Sequence, residues 1–170
     1  MTASLVSQPG FVRARAAVRA AEIGLLRAVA VDIVASGEAD ALRVLGPAAI
    51  EIIREATGPA SIDLQAHATA DGRAVTFLGR ADHAVAVSAH LSALAGEHRE
   101  YLRAAVRLVG THGSVLVDLL GPMLDVRTAA GAVRVPFGVS GAEGDPRDAT
   151  ETLSAITESA RSGRNITTTW

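Results

Sequence analysis

Residues 61–94, SIDLQAHATADGRAVTFLGRADHAVAVSAHLSAL, decide the fold. Apolar side chains fall at every second position: Ile62, Leu64 and Ala66, then Val75 and Phe77, then Val85, Val87, Ala89 and Leu91. Successive side chains of an extended strand point to opposite faces, so this period marks half-buried strands. Asp71-Gly72 is a turn signal between the first two runs. The same texture continues to Pro136 through LRAAVRLVG (102–110), SVLVDLL (114–120), LDVRTA (124–129) and AVRVPF (132–137). Gly96, Gly110, Gly113, Gly121-Pro122 and Gly131 separate these runs. So many consecutive strands without intervening helices predict an antiparallel or mixed sheet.

The flanks read differently. Residues 10–22 (GFVRARAAVRAAE) predict a helix, with Arg13, Arg15 and Arg19 solvated and Phe11, Val12, Ala16 and Val18 as its apolar surface. Ile23-Gly24 ends it, and the β-branched run 25–35 is a strand. Residues 38–57 form the clearest helix: Leu42, Leu45, Ala49, Ile52 and Ala56 recur at three- and four-residue steps on one face. Pro47 is expected to kink it or to begin a second segment, and Gly58-Pro59 stops it. After a loop at 138–145, Asp145 and Pro146 are suited to open a last helix that runs to about Ser162 and closes at Gly163. The tail NITTTW (165–170) supplies an edge strand. The expected architecture is α+β: helices on one face of a large open, mostly antiparallel or mixed sheet. Residues 1–9 are expected to be a flexible segment and 10–170 a single domain.

Composition narrows the chemistry. All 16 basic residues are arginine, and there is no cysteine. Within this chain, then, no lysine amine can serve as base or Schiff-base former, and no thiolate as nucleophile or metal ligand. Net charge is −2, and no basic run interleaved with aromatics points to nucleic acid. Apolar runs such as Ala28–Val31 are far too short to span a bilayer. MTASLVSQPG lacks the charged and apolar regions of a signal peptide, so the expected location is the cytoplasm.

Three segments, in their order and spacing, resemble the C-terminal substrate domain of the Gfo/Idh/MocA oxidoreductases. They are Glu22-Ile23-Gly24 with LLRAVAVDI (25–33), LGPAAIEIIREATG (45–58), and VRLVGTHGSVLVDL (106–119) followed by TLSAITESARSGR (152–164). The resemblance covers residues 10–168 and implies an open-sheet domain that self-associates through the flat face of its sheet. In that family a separate Rossmann domain binds NAD(P) and supplies a catalytic lysine. Neither a G-x-G-x-x-G turn nor a lysine is present here. The family's long helix also presents Asp, His and Asp at i, i+4 and i+7; aligned on Leu45-Gly46-Pro47 and Thr57-Gly58, those positions are Val44, Ala48 and Glu51. Only the last keeps a carboxylate, and alanine cannot shuttle a proton.

The resemblance therefore implies a substrate-type domain without its own NAD(P) site, with Val44, Ala48, Glu51 and Arg54 facing a small polar ligand. Glu51 can act as an acid or base if buried, or pair with Arg54 or solvent as an ordinary surface glutamate. His90 shares a strand face with Ser88 among small residues, suiting either a pocket floor or an association surface. Asp82-His83, Glu97–Glu100 and His112 read as solvated turns and loops, and the histidines lack the close spacing of a metal site. Three readings follow: a non-redox domain that binds a small polar metabolite or a partner enzyme as a homo-oligomer; a cofactor-free isomerase, cyclase or lyase using Glu51 and His90 as catalytic residues; or one subunit of a split oxidoreductase whose partner Rossmann chain brings NAD(P). A valine-rich sheet face carrying Val85, Val87 and Ala89 is expected to drive the association.

Overall fold

A computed structural model of the 170-residue chain describes residues 4–37, 40–96, 100–121, 123–136 and 149–170. Among these residues three α-helices, α1 (Pro9–Arg19), α2 (Ala41–Thr57) and α3 (Thr150–Ser162), accompany nine strands. The strands are β1 (Leu26–Ser36), β2 (Ser61–Ala68), β3 (Ala74–Ala81), β4 (Val85–Leu94), β5 (Glu100–Gly110), β6 (Gly113–Asp118), β7 (Met123–Thr128), β8 (Gly131–Pro136) and β9 (Ile166–Thr169). They form one sheet in the order β8-β7-β6-β5-β1-β4-β3-β2-β9. Each strand expected between residues 61 and 136 is present, and the tail pairs antiparallel with β2 as an edge strand. β1 pairs with β4 in parallel and with β5 antiparallel, so the sheet is mixed. The parallel pair needs a crossover, which α2 and the β2–β3 hairpin provide.

Alternation sorts the side chains into two faces. Val29, Val31 and Ile33 of β1, Val87, Ala89 and Leu91 of β4, and Val106 and Leu108 of β5 are buried beneath the helices. α1 packs over β5, β6 and β7, α2 over β1, β4 and β3, and α3 over β2 and β9. Ala28, Ala30, Asp32, Ala86, Ser88 and His90 stand on the opposite, open face. This corrects one expectation: Val85, Val87 and Ala89 belong to the core, and the open face is small and polar instead.

Two further expectations change. α1 turns Phe11, Ala14 and Ala17 inward, while Val12 and Ala16 are exposed and Arg15 pairs with Glu55 of α2. α2 runs through Pro47 as one helix. Proline has no N–H to donate to the carbonyl four residues back, and the helix continues regardless.

The helix ends are built as their residues imply. Asp40 caps α2 by accepting from Arg43 N at 2.9 Å, and Gly163 closes α3 in the left-handed conformation at φ +69°. Asp145 and Pro146 lie outside the described residues, and the described part of α3 starts at Thr150. Buried Ser159 joins α3 to β2: its Oγ accepts from Ala66 N at 2.9 Å and donates to Arg164 O at 2.6 Å. Trp170 closes the molecule, its indole donating to Gly58 O at 3.3 Å and its backbone N–H to Ala60 O at 3.2 Å. Among the described residues no helix is long and apolar enough to cross a membrane.

Candidate functional site

Helical spacing aligns Val44, Ala48 and Glu51 in one half-buried stripe along α2. Val44 and Ala48 rest against the margin of the core. Glu51 Oε2 accepts a hydrogen bond from Ser4 Oγ at 3.1 Å. Behind Ser4, a short 3-10 turn, Leu5–Ser7, packs on α2 with Leu5 buried. Arg54, also half-buried, follows on the same side. The stripe thus faces the N-terminal segment and α1, and the chain's own Ser4 occupies the carboxylate that was singled out.

His90 is exposed on the open face of β4. Strand register gives it its company: one row across the sheet reads His67, Thr76, His90, Asp32, Ala105 and Asp118. Thr76 Oγ1 lies 2.9 Å from His90 Nδ1, and Ser92 Oγ lies 3.1 Å from Nε2. Asp32 Oδ2 meets Arg103 Nε at 3.1 Å. Thr76, His90, Asp32 and Arg103, together with Ser88, Ala30, Arg107 and Leu116, line a basin of about 420 Å³. Glu51 sits in the helix layer and His90 beyond the sheet, so the structure does not bring the two catalytic candidates together.

A larger cleft, of about 620 Å³, opens between α2, α3 and the β2–β3 turn. Leu42, Val75 and Leu153 give it an apolar floor; Arg43, Thr157 and Arg161 stand among its polar lining. Ala41 N donates to Gly72 O at 2.9 Å and holds the turn against the helix. None of Val44, Ala48, Glu51, Arg54 or His90 lines this cleft. Its walls come from distant parts of the chain and carry no local motif, so sequence reading passed over it.

The remaining candidates are peripheral. His112 Nδ1 lies 2.8 Å from Thr111 Oγ1 in the β5–β6 turn. Asp82 accepts from Ser61 N at 2.9 Å. His98 and the side chain of His83 lie outside the described residues. Among the described residues no group of three potential ligands is placed to hold a metal ion. The shifted carboxylates lie elsewhere: in the β2–β3 turn the Thr69 hydroxyl and the Arg73 N–H lower the pKa of Asp71, and on β7 hydrogen bonding from Arg134 lowers that of Asp125.

No protein-family model and no curated protein sequence matches the chain. Solved structures do. An oxidoreductase-classed protein from Thermotoga maritima superposes with TM-score 0.78 at 17% identity, covering 97% of this chain and 62% of that one. An oxidoreductase from Agrobacterium radiobacter, solved with NAD+, L-tartaric acid and magnesium, gives 0.74 at 15% identity over 94% of this chain and 61% of its own. A levoglucosan dehydrogenase solved with NADH and levoglucosan gives 0.73 at 16% identity over 94% and 63%. The chain therefore spans about three fifths of these structures' length. They are oxidoreductases of the Gfo/Idh/MocA type, and the chain has the open-sheet fold that the sequence resemblance implied.

Proposed function

We propose that this chain is an oxidoreductase-like substrate domain that performs no hydride transfer itself and holds a small polar molecule through the α2 stripe, as a homo-oligomer. One observation carries the reading: where the family helix presents its proton-shuttling histidine, Ala48 rests half-buried against the core, and Ser4 holds the single carboxylate, Glu51. An alanine neither moves a proton nor polarises a hydroxyl. Val44, Ala48, Glu51 and Arg54 form the ligand-facing surface, the ligand displacing Ser4 from Glu51, and a second copy of the chain covers the open sheet face. The Glu51–His90 acid–base reading has less support, because the sheet lies between the two residues.

A titration of the purified chain with NADH, followed by cofactor fluorescence, tests the proposal. The expected result is no saturable complex; a tight one-to-one complex would sink it. A second reading draws on the nicotinamide-bound neighbours, whose chains are longer than this one: a separate Rossmann polypeptide supplies NAD(P) and the missing lysine. Native mass spectrometry of the protein from its host's extract distinguishes the two. A complex with a Rossmann-sized chain and nucleotide favours the split enzyme, and a nucleotide-free homo-oligomer favours the first reading.

A further inference from the structure

We infer that the cleft between α2, α3 and the β2–β3 turn binds an uncharged, mainly apolar small molecule carrying one hydrogen-bonding group. The cleft belongs neither to the α2 stripe nor to the open sheet face, so the inference rests on neither of those readings.

Close backbone contacts and small side chains make the cleft. Gly46 lets α2 and α3 come together beside it: a Cβ there would stand 2.5 Å from Leu153 Cδ2 and 3.0 Å from Leu42 Cδ1. At the start of α2, the bond from Ala41 N to Gly72 O pins the β2–β3 turn in place. Ala68 and Ala160 line the space between and carry only methyl groups, which leaves about 620 Å³ open. Small-molecule sites typically measure roughly 300–1,000 Å³ and combine an apolar lining with a few polar groups. The floor fits that description: Val75 is buried, and Leu42 and Leu153 are half-buried against the core. The apolar surface these side chains turn to the cleft is what an apolar ligand would remove from water.

Charge at the rim is already balanced. Asp40, Arg43 and Arg161 line the cleft, one carboxylate against two guanidiniums. Glu158 cancels the excess, accepting from Arg161 Nε at 3.0 Å and from Nη2 at 2.8 Å. An ionic ligand would bring a charge with no counter-charge left to meet it and would set that charge beside an apolar floor. A single neutral polar group has partners. Arg161 bonds Glu158 through Nε and Nη2, which leaves Nη1 as a donor. Thr157 Oγ1 donates to Leu153 O at 2.9 Å and keeps capacity to accept. A ligand hydroxyl can use both, accepting from the guanidinium and donating to the threonine.

The test is an amide NMR titration with four probes: adamantanol, its carboxylate and ammonium analogues, and myo-inositol as a ring without apolar surface. Adamantanol is expected to shift the amides of Leu42, Val75, Leu153 and Thr157 saturably and to bind more tightly than either ion. Its advantage over inositol is expected to be about tenfold or more, the scale for burying two or so methylene groups. The amides of Ala48 and Glu51 are expected to stay unmoved, which separates this site from the α2 stripe. Thr157→Phe puts a ring into the cleft from an exposed helix position, and Leu42→Gln makes the floor polar. Each, checked for an otherwise unchanged spectrum, is expected to weaken adamantanol about tenfold. Equal binding of inositol, tighter binding of either ion, or adamantanol binding undiminished in both variants overturns the inference. So does adamantanol that leaves the cleft unmoved; if Thr157→Phe then alters the sedimentation coefficient, the cleft is a contact between chains instead.

Discussion

Gly110 and Gly113 flank the β5–β6 turn, and both are required by proximity rather than by an unusual backbone angle. Neither has a positive φ. A Cβ on Gly110 would stand 2.1 Å from Ile23 O, and one on Gly113 2.3 Å from Arg127 O. Those oxygens belong to backbone and cannot rotate aside. Gly110→Ala is therefore expected to destabilise by about 1–3 kcal/mol, the range for overpacking, seen as a lower urea midpoint with unchanged slope. At this scale the sequence was half legible. It marked the glycines as separators between strands and no more, because nothing in the local text reveals that Ile23 comes to lie against Gly110. The α2 positions were legible for the opposite reason: Val44, Ala48 and Glu51 are close in sequence, and one helical period brings them together. Ser4, which meets Glu51, is remote from it and gave no signal.

Among elements, the strands were the easiest to read and α1 the hardest. Period two is distinctive where a strand has one wet face, as in β2 and β4. α1 is built of alanine, valine and arginine, so several of its faces look equally apolar, and only packing selected Phe11, Ala14 and Ala17. The β7–β8 hairpin supplies an element-level expectation. Arg134 donates to Asp125 at 2.7 Å and holds its pKa below the ordinary value. A carboxylate with a lowered folded pKa adds stability above its unfolded pKa of about 3.9 and loses it as pH falls through the folded value. Protection of the β7 and β8 amides, taken relative to their intrinsic exchange at each pH, is thus expected to fall on acidification below that range. In Asp125→Asn that acid-dependent loss of protection should largely vanish; equal pH profiles would refute the linkage.

For the molecule as a whole, the strand order is what sequence reading did not reach. His90 was singled out, but Asp32 and Arg107 were not, because they become its neighbours only once β1 inserts between β5 and β4. The same insertion buries the valine-rich faces of β1 and β4 and leaves Ala28, Ala30, Ala86 and Ala105 outside among charged residues. Association through that face would combine flat alanine contacts with arginine–aspartate pairs and should weaken with salt. Sedimentation velocity at micromolar concentration is expected to show a dimer or larger species that shifts toward monomer in high salt; a monomer throughout counts against the surface. The placement of β1 also bears on how the chain reaches its fold. A central strand that is parallel to one neighbour can be flanked on that side only after α2 and the β2–β3 hairpin have been folded back, and on the other only after β5 is in place. Every pairing β1 makes closes a long loop. That loop entropy must be met before the contacts reward it, so the search for β1's two partners sets a slow folding rate, leaving its unpaired edges exposed to other chains in the meantime.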